Sequence, residues 1–458
     1  MSVKNDASIR GAFSGKLGYV LATAGSAVGL GNIWRFPYLA AKYGGGVFLL
    51  VYIILALTFG YTMMMSESAL GRLTGKSPVG AFSAYGNGRL AKAGGWINAI
   101  IPMMILPYYC VIGGWVTKYL YEYITGNIAG VAADGFFGGF ISSTASGELW
   151  FIVFAALTLL VIVAGVETGV ERVSKIMMPA LIVLSVFVAI YSMTREGAME
   201  GVKYFLIPNF KNFSWMTVVA ALGQLFYSLS IAMGILITYG SYMKKDVDIE
   251  NATHQVEIFD SGVAILAGLM IIPAVFAFSG GDPEMLNKGP SLMFITMPKV
   301  FESMGMGGIL GIVFFLLVLF AALTSAISLA ETCVSTFQDE LGLSRGKAAA
   351  LVALITLALG SLSSLGYSSL SFVRLFGMEI LDFFDFLTNS LMMPVAAFAI
   401  CLFVVYSVGL DKVRGEICRS SKFHMEPVYR VTIRFIAPIF VVIILFSSIA
   451  QVFGWINM

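Results

Sequence analysis

Gly25-Ser26-Ala27-Val28-Gly29-Leu30-Gly31-Asn32-Ile33-Trp34-Arg35-Phe36-Pro37 places three glycines, an asparagine and an arginine inside an otherwise apolar run. Glycine in a helix interior costs about 1 kcal/mol relative to alanine, so the run suits a broken helix better than a continuous one. Backbone freed at bilayer depth persists only where it lines a cavity or is buried in protein. The freed groups define the chemistry. Carbonyls can ligate a cation, N–H groups opening the next half-helix can hold a carboxylate, and Asn32 adds a side-chain oxygen. Arg35, two residues before Pro37, lies toward the mouth of such a cavity.

A second polar cluster, Gly223-Gln224-Leu225-Phe226-Tyr227-Ser228-Leu229-Ser230-Ile231-Ala232-Met233-Gly234, interrupts another apolar segment. A lone serine in a membrane helix bonds back to its own backbone and signifies little. Ser228 and Ser230 beside Gln224, Tyr227 and Gly234 read instead as a second broken helix, the sequence pointer to a transporter site. In Ala321-Ala322-Leu323-Thr324-Ser325, two hydroxyls stand about 100° apart on a helix, close enough to share a small cation with another element's carbonyls. Small-residue helix packing accounts for the same residues on its own. Of the adjacent Tyr108 and Tyr109, one is expected to face the cavity and the other to pack. A carboxylate at mid-membrane costs roughly 2.5–3.5 kcal/mol to insert. Asp260 and Asp385 are therefore expected to be functional, whereas Glu67 and Glu331 lie toward span ends, where snorkelling accounts for them.

These residues need a frame of membrane helices, and the composition supplies one. The 458-residue chain is 58% hydrophobic and 12% charged with mean hydropathy +0.88, far from the roughly 25% charged residues of soluble domains. Segments near 17–43, 46–70, 96–124, 149–165, 172–193, 215–242, 257–279, 307–335, 347–365, 381–408 and 431–456 are long enough to span at about 20 residues each. An all-α polytopic protein of about 11 transmembrane helices in one domain, 1–458, is the expected fold class, with the breaks in the first and sixth spans. Placing the N-terminus inside puts 19 of the 28 Lys and Arg on the cytoplasmic side, as the positive-inside rule requires; the C-terminus is then external. No secretory signal is expected in residues 1–16. A net charge of +2 gives no reason to expect a nucleic-acid partner. Cys110, Cys333, Cys401 and Cys418 have no paired spacing and His254 and His424 stand apart, so neither a disulfide framework nor a metal-ligand motif is expected. No nucleophile–base pair suggests an enzyme. The connection 280–303 either dips toward the cavity or forms a surface hairpin.

With these motifs in hand, the chain resembles the neurotransmitter:sodium symporters, most of all their bacterial amino-acid branch. The stretch Gly25 to Pro37 is similar to the family's first-helix signature, and Glu67-Ser68-Ala69-Leu70-Gly71-Arg72, Gly223-Gln224, Thr324-Ser325 and Asp339-Glu340-Leu341 recur in family order. The resemblance implies two five-helix inverted repeats, about 10–193 and 215–408, an extra helix near 431–456, and alternating access. It implies two sodium ions. The first would be held by the Ala27 carbonyl, Asn32, Ser228, Asp260 and the substrate carboxylate. The second would take carbonyls of Gly25, Val28 and Ala321 and hydroxyls of Thr324 and Ser325. The substrate carboxylate would meet N–H groups of Leu30 and Gly31 and the Tyr109 hydroxyl, and the amino group would face carbonyls around Ala27, Tyr227 and Ser228. Ile105, Tyr109, Tyr227, Ser230, Met233, Ser325 and Leu329 would select the side chain.

By the same resemblance, Gly29 stands where monoamine carriers place an aspartate, which implies amino-acid substrates. Met233 stands where a leucine-carrying relative has phenylalanine, and methionine repacks around ligands of different shape. Arg35 and Asp385 would form an outer gate, Arg10 and Asp339 an inner one, with Phe13 where many relatives have tryptophan. Gly169 and Pro179 repeat a Gly-x9-Pro spacing linked in a bacterial relative to unwinding beside the second sodium; an ordinary proline kink is the alternative. Asp260 replaces a sodium-ligating asparagine of the animal members, so no chloride requirement is expected. The implied activity is sodium-coupled import of hydrophobic or aromatic L-amino acids across a bacterial inner membrane, with an amino-acid-binding membrane sensor without turnover as the alternative.

Overall fold

The computed structural model describes residues 11–86, 88–280 and 292–452. Among these residues nine helices are long and apolar enough to cross a membrane, and β structure is limited to isolated bridges. In chain order the main helices are α1 (Lys16–Ala27), α2 (Phe36–Lys42), α3 (Gly46–Thr74), α4 (Arg89–Ile124), α5 (Thr144–Val163), α6 (Val166–Met193), α7 (Trp215–Ser228), α8 (Ile235–Ser241), α9 (Ile249–Ser279), α10 (Gly307–Leu341), α11 (Arg345–Leu365), α12 (Ile380–Ile417) and α13 (Glu426–Ala450). The two expected broken spans are the pairs α1/α2 and α7/α8, each split near its middle.

Helix position follows residue size and polarity. Every residue of α1 from Gly18 to Ala27 is buried, and its Gly, Ala and Ser residues let neighbours approach closely, the usual device for packing helices where lipid provides no hydrophobic drive. By contrast α5, α6, α11 and α13 present Leu160, Val183, Leu354 and Phe446 outward, as lipid-facing helices must. The small-residue helices therefore form the centre and the Leu/Val-rich ones the wall.

Local sequence sets the ends. Ser214 and Thr217 form a reciprocal capping box at the start of α7, which satisfies N–H groups left without intrahelical partners. Asp248 caps α9, accepting from the Asn251 N–H at 3.0 Å, so α9 begins well before the apolar segment predicted at 257. In α12, Pro394 is accommodated without a break. The described part of the 280–303 connection folds inward. Met293 and Phe294 are fully buried, Phe294 stacking on Phe137 at 5.0 Å and meeting Trp34 and Trp115 edge-on. The Phe294 carbonyl accepts from the Tyr119 hydroxyl at 2.8 Å.

Candidate functional site

The two breaks are built differently. At the first, Val28 leaves the helical region (φ −74°, ψ 98°) while its N–H still bonds the Ala24 carbonyl at 2.7 Å. The chain then re-enters through a π-turn over Gly31–Arg35 before α2. Asn32 braces this turn: its side-chain oxygen accepts from the Gly29 N–H at 3.1 Å. At the second break, Ser230, Ala232 and Gly234 all have positive φ (53°, 59° and 69°). For Ser and Ala that conformation costs roughly 1–2 kcal/mol each. Glu67 offsets part of it, accepting from the Ala232 N–H at 2.8 Å. The breaks meet where the Ser26 and Ser230 hydroxyls lie 3.0 Å apart.

Glu67 thus departs from the expectation that it snorkels: it is fully buried and holds the unwound strand between α7 and α8. Glu331 departs in the same way, accepting from Arg345 at 3.0 Å and from the Tyr242 hydroxyl at 2.8 Å. Apolar depth along one segment does not reveal which other helix covers it. The only sequence signal for Glu67 was its place in the Glu67 to Arg72 motif.

Asp260 sits at the centre of a buried polar cluster. One carboxylate oxygen accepts from Asn32 Nδ2 at 2.7 Å and Ser228 Oγ at 2.8 Å, and the other from the Tyr52 hydroxyl at 2.9 Å. All four residues are at most 1% exposed. A carboxylate removed from water needs hydrogen bonds and a countercharge. Three neutral donors supply the former and leave the charge for a cation, and the oxygens here are the hard donors an alkali ion prefers. Gln224, next to this cluster, donates to the Gly31 carbonyl at 3.0 Å.

A second oxygen cluster lies on the other side of the first break. Ser325 Oγ is 3.4, 3.1 and 3.5 Å from the carbonyls of Gly25, Ser26 and Val28. Thr324 Oγ1 turns back to the Phe320 and Ala321 carbonyls at 3.0 and 3.2 Å. A Cβ placed on Gly25 would be 3.2 Å from Thr324 Cβ. Gly25, Val28, Ala321, Thr324 and Ser325 thus meet at one point of contact between α1 and α10. The Ser26 carbonyl, nearest of the three to Ser325, was not among the expected groups.

Between the two clusters is a cavity of about 30 Å³ lined by Ser26, Ala27, Gly29, Gly31, Asn32, Ile105, Tyr109, Tyr227, Ser230, Met233, Ile235, Ser325 and Leu329. Ten of the expected substrate residues are on its wall. Leu30 contributes a backbone N–H that donates to the Tyr109 hydroxyl at 3.3 Å, and Ser228 belongs to the Asp260 cluster instead. Tyr108 points away, 3.2 Å from Thr388 Oγ1. Ser26 and Ile235 were not anticipated. Gly29 and Gly31 are needed for close approach: a Cβ at Gly29 would be 2.6 Å from Ser325 Oγ, and one at Gly31 2.5 Å from the Tyr227 ring.

Toward α2 a larger cavity, about 210 Å³, is lined in part by Arg35, Tyr38, Tyr227, Asn389 and Met393. The Arg35 guanidinium lies 5.4 Å over the Tyr227 ring. It makes no ion pair among the described residues, and Asp385 is held by Asn389 Nδ2 at 2.6 Å. In this arrangement Arg35 covers the Tyr227 ring and is not in direct ion-pair contact with Asp385, its expected outer-gate partner, whose carboxylate accepts from Asn389. At the opposite end Arg10 lies outside the described residues, and Asp339 accepts from the Ser77 N–H at 2.7 Å. Phe13 packs edge-on against Tyr19, Tyr239 and Tyr242 at 5.9, 5.4 and 6.0 Å. Gly169 falls in the π-turn Val166–Glu171 that opens α6, and Pro179 inside the same helix.

Residues 10–134 and 141–455 match the Sodium:neurotransmitter symporter family. The chain belongs to this family. The symporter is 35% identical over 442 residues to the sodium-dependent transporter YhdH of Bacillus subtilis, an alignment covering 95% of this chain and 97% of the relative. To a sodium-dependent transporter of Haemophilus influenzae it is 30% identical over 454 residues, covering 96% and 98%. Its fold is similar to that in the crystal structure of MhsT in complex with L-phenylalanine, with TM-score 0.87, 38% identity, and 96% and 100% of the two chains covered. The symporter is a multi-pass membrane transporter of a sodium-dependent family, not an enzyme.

Proposed function

We propose that this symporter imports hydrophobic and aromatic L-amino acids with two sodium ions, by alternating access and without chloride, across a bacterial inner membrane with its N-terminus inside and C-terminus outside. One observation carries the reading. Asn32 both lines the central cavity and donates to Asp260, so a carboxylate bound at the Leu30 and Gly31 N–H groups and the Tyr109 hydroxyl would complete the shell of an ion at Ala27, Asn32, Ser228 and Asp260. Ile105, Met233 and Leu329 are apolar residues on the cavity wall and suit an uncharged side chain. The L-phenylalanine named for the MhsT complex supports the substrate class. The second ion would occupy the cluster of Gly25, Val28, Ala321, Thr324 and Ser325.

Two sodium ions crossing 100 mV release about 4.6 kcal/mol, enough for a gradient of roughly a thousandfold or more. A fixed carboxylate about 4 Å from an ion contributes on the order of 4 kcal/mol at an effective dielectric of 20, so Asp260 can serve where a mobile anion otherwise would. Alternating access would use the repeats at about 10–193 and 215–408, closing Arg35 toward Asp385 on one side and Arg10 toward Asp339 on the other, with Gly169 and Pro179 as the hinge of α6. Radiolabelled phenylalanine uptake into proteoliposomes tests the proposal. Uptake should require a sodium gradient, persist when gluconate replaces chloride, and be competed by Trp, Tyr and Leu but not by dopamine, and Asp260→Asn, which keeps an oxygen ligand but loses the fixed charge, should weaken sodium-dependent binding. Binding without uptake would establish the sensor instead, and collapse of uptake without chloride would remove the role given to Asp260.

A further inference from the structure

Glu171 and Ser174 lie on α6 outside both oxygen clusters, yet their surroundings point to cations. With Met178 they are spaced i, i+3, i+7 and share one helix face. That face meets α1 at two glycines seven residues apart. A Cβ on Gly18 would fall within the Glu171 carboxylate, and a Cβ on Gly25 would lie 3.5 Å from both Ser174 Oγ and Met178 Sδ. Because the Gly25 carbonyl is 3.4 Å from Ser325 Oγ, Ser174 stands directly beside the second cluster. Glu171 is one turn further, toward the end of α1 that carries Ser14. Ser174 is 2% exposed, and its hydroxyl makes no hydrogen bond among the described residues.

The Glu171 side chain is 1% exposed, and its partners are all detachable. It accepts from the Ser14 N–H at 2.8 Å and from the Ser14 hydroxyl. Its countercharge, Lys175 at 2.6 Å, is 37% exposed and can turn to solvent. Lys244 holds the Ser14 carbonyl at 2.6 Å. A buried carboxylate without partners is strongly disfavoured, so when the Ser14 segment lifts away, Glu171 must find a replacement.

We propose that Glu171 and Ser174 form a transit site for a monovalent cation leaving the second cluster, and that the Ser14 segment caps it. The Ser174 hydroxyl is the first oxygen on the route from Gly25 and Ser325, and the Glu171 carboxylate the first anion. Ser14 and a sodium ion compete for the same carboxylate oxygens. Release of the ion and undocking of the N-terminal segment are thereby a single event, and opening is resisted until a cation arrives. The proposal rests on the sodium reading of the Gly25–Ser325 cluster and on an N-terminus facing the cytoplasm.

The test uses the full-length protein with L-phenylalanine as probe, comparing equilibrium binding in detergent with initial uptake in proteoliposomes. Glu171→Gln should leave the sodium dependence of binding unchanged and lower the maximal uptake rate about tenfold, and Ser174→Ala should lower it several-fold. Inhibition of uptake by sodium inside the vesicles should weaken in both, and Glu171→Asp should restore part of the rate. Unchanged uptake in Glu171→Gln, or binding and uptake lost in equal measure, would overturn the proposal. Ser325→Ala separates the premise from the inference. If its binding keeps wild-type sodium dependence, the sodium reading of the cluster fails, whatever Glu171 does.

Discussion

The two helix breaks reach the same end by opposite means. At α1/α2 glycines supply the unwound backbone, no residue from Val28 to Arg35 has positive φ, and Asn32 closes the turn from within. At α7/α8 two non-glycine residues, Ser230 and Ala232, are held in the left-handed region, and a side chain from α3 holds the strand in place. Strain of this kind persists only when the surroundings over-determine it. The first break therefore needs no left-handed strain, although Tyr109, Gln224 and Asp260 also bond to it, whereas the strained second break is held by Glu67 of α3. The φ angles of the second break are the ones that depend on a neighbouring helix to persist.

Removing the brace should have the largest effect. Glu67→Ala leaves the Ala232 N–H buried and unpaired, at a cost of about 1–3 kcal/mol, so equilibrium binding of phenylalanine should weaken by roughly tenfold to a hundredfold. Glu67→Gln, which keeps an acceptor, should bind several-fold better than the alanine variant. Binding at wild-type strength in Glu67→Ala would mean that the second break supports itself.

At the first break the expected damage is steric. Gly31→Ala should cost about 1–3 kcal/mol through its collision with Tyr227, read as weaker binding. Adding Tyr227→Leu should recover part of it, since the two positions touch and their effects should not add. Failure to recover would show that Gly31 is needed for its backbone, making the two breaks more alike than their φ angles suggest. A smaller and opposite change is expected from Ala232→Gly, which relieves about 1–2 kcal/mol of left-handed strain against about 0.4–1 kcal/mol of added unfolded-chain freedom and should leave a small net stabilisation, seen as a higher Tm. Smallest in energy is Met233→Phe, which should leave binding of small hydrophobic amino acids near wild type while excluding tryptophan in competition assays.

Much of this was legible in the sequence because polar and glycine residues are conspicuous in apolar runs. Both breaks were marked by residue type alone, as were Asn32, Ser228, Asp260 and Ser325 one by one; that Asn32 and Ser228 meet Asp260, and Ser325 the α1 carbonyls, was implied only by the resemblance to the symporter family. What escaped were properties that depend on a partner from elsewhere in the chain. Whether Glu67 snorkels or is sealed depends on the α7/α8 strand lying against it, and the Asn389 bond to Asp385 had no signal in the sequence. The start of α9 was missed because Asp248 extends the helix through polar residues that no apolar window includes.

Phe13 carries a thermal consequence. It is 1% exposed, its ring meets three tyrosine rings edge-on, and among the described residues its polar bond is made by the backbone N–H to the Tyr242 carbonyl at 3.1 Å. The ring itself has nothing to donate, so withdrawing it would expose apolar surface worth about 1.5–3 kcal/mol with little change in hydrogen bonding. Apolar hydration has a large positive heat capacity, and the drive to keep such surface covered weakens on cooling. This plug should therefore hold less firmly in the cold, so that for this end of the protein temperature acts as a weak opener independent of any ion or substrate.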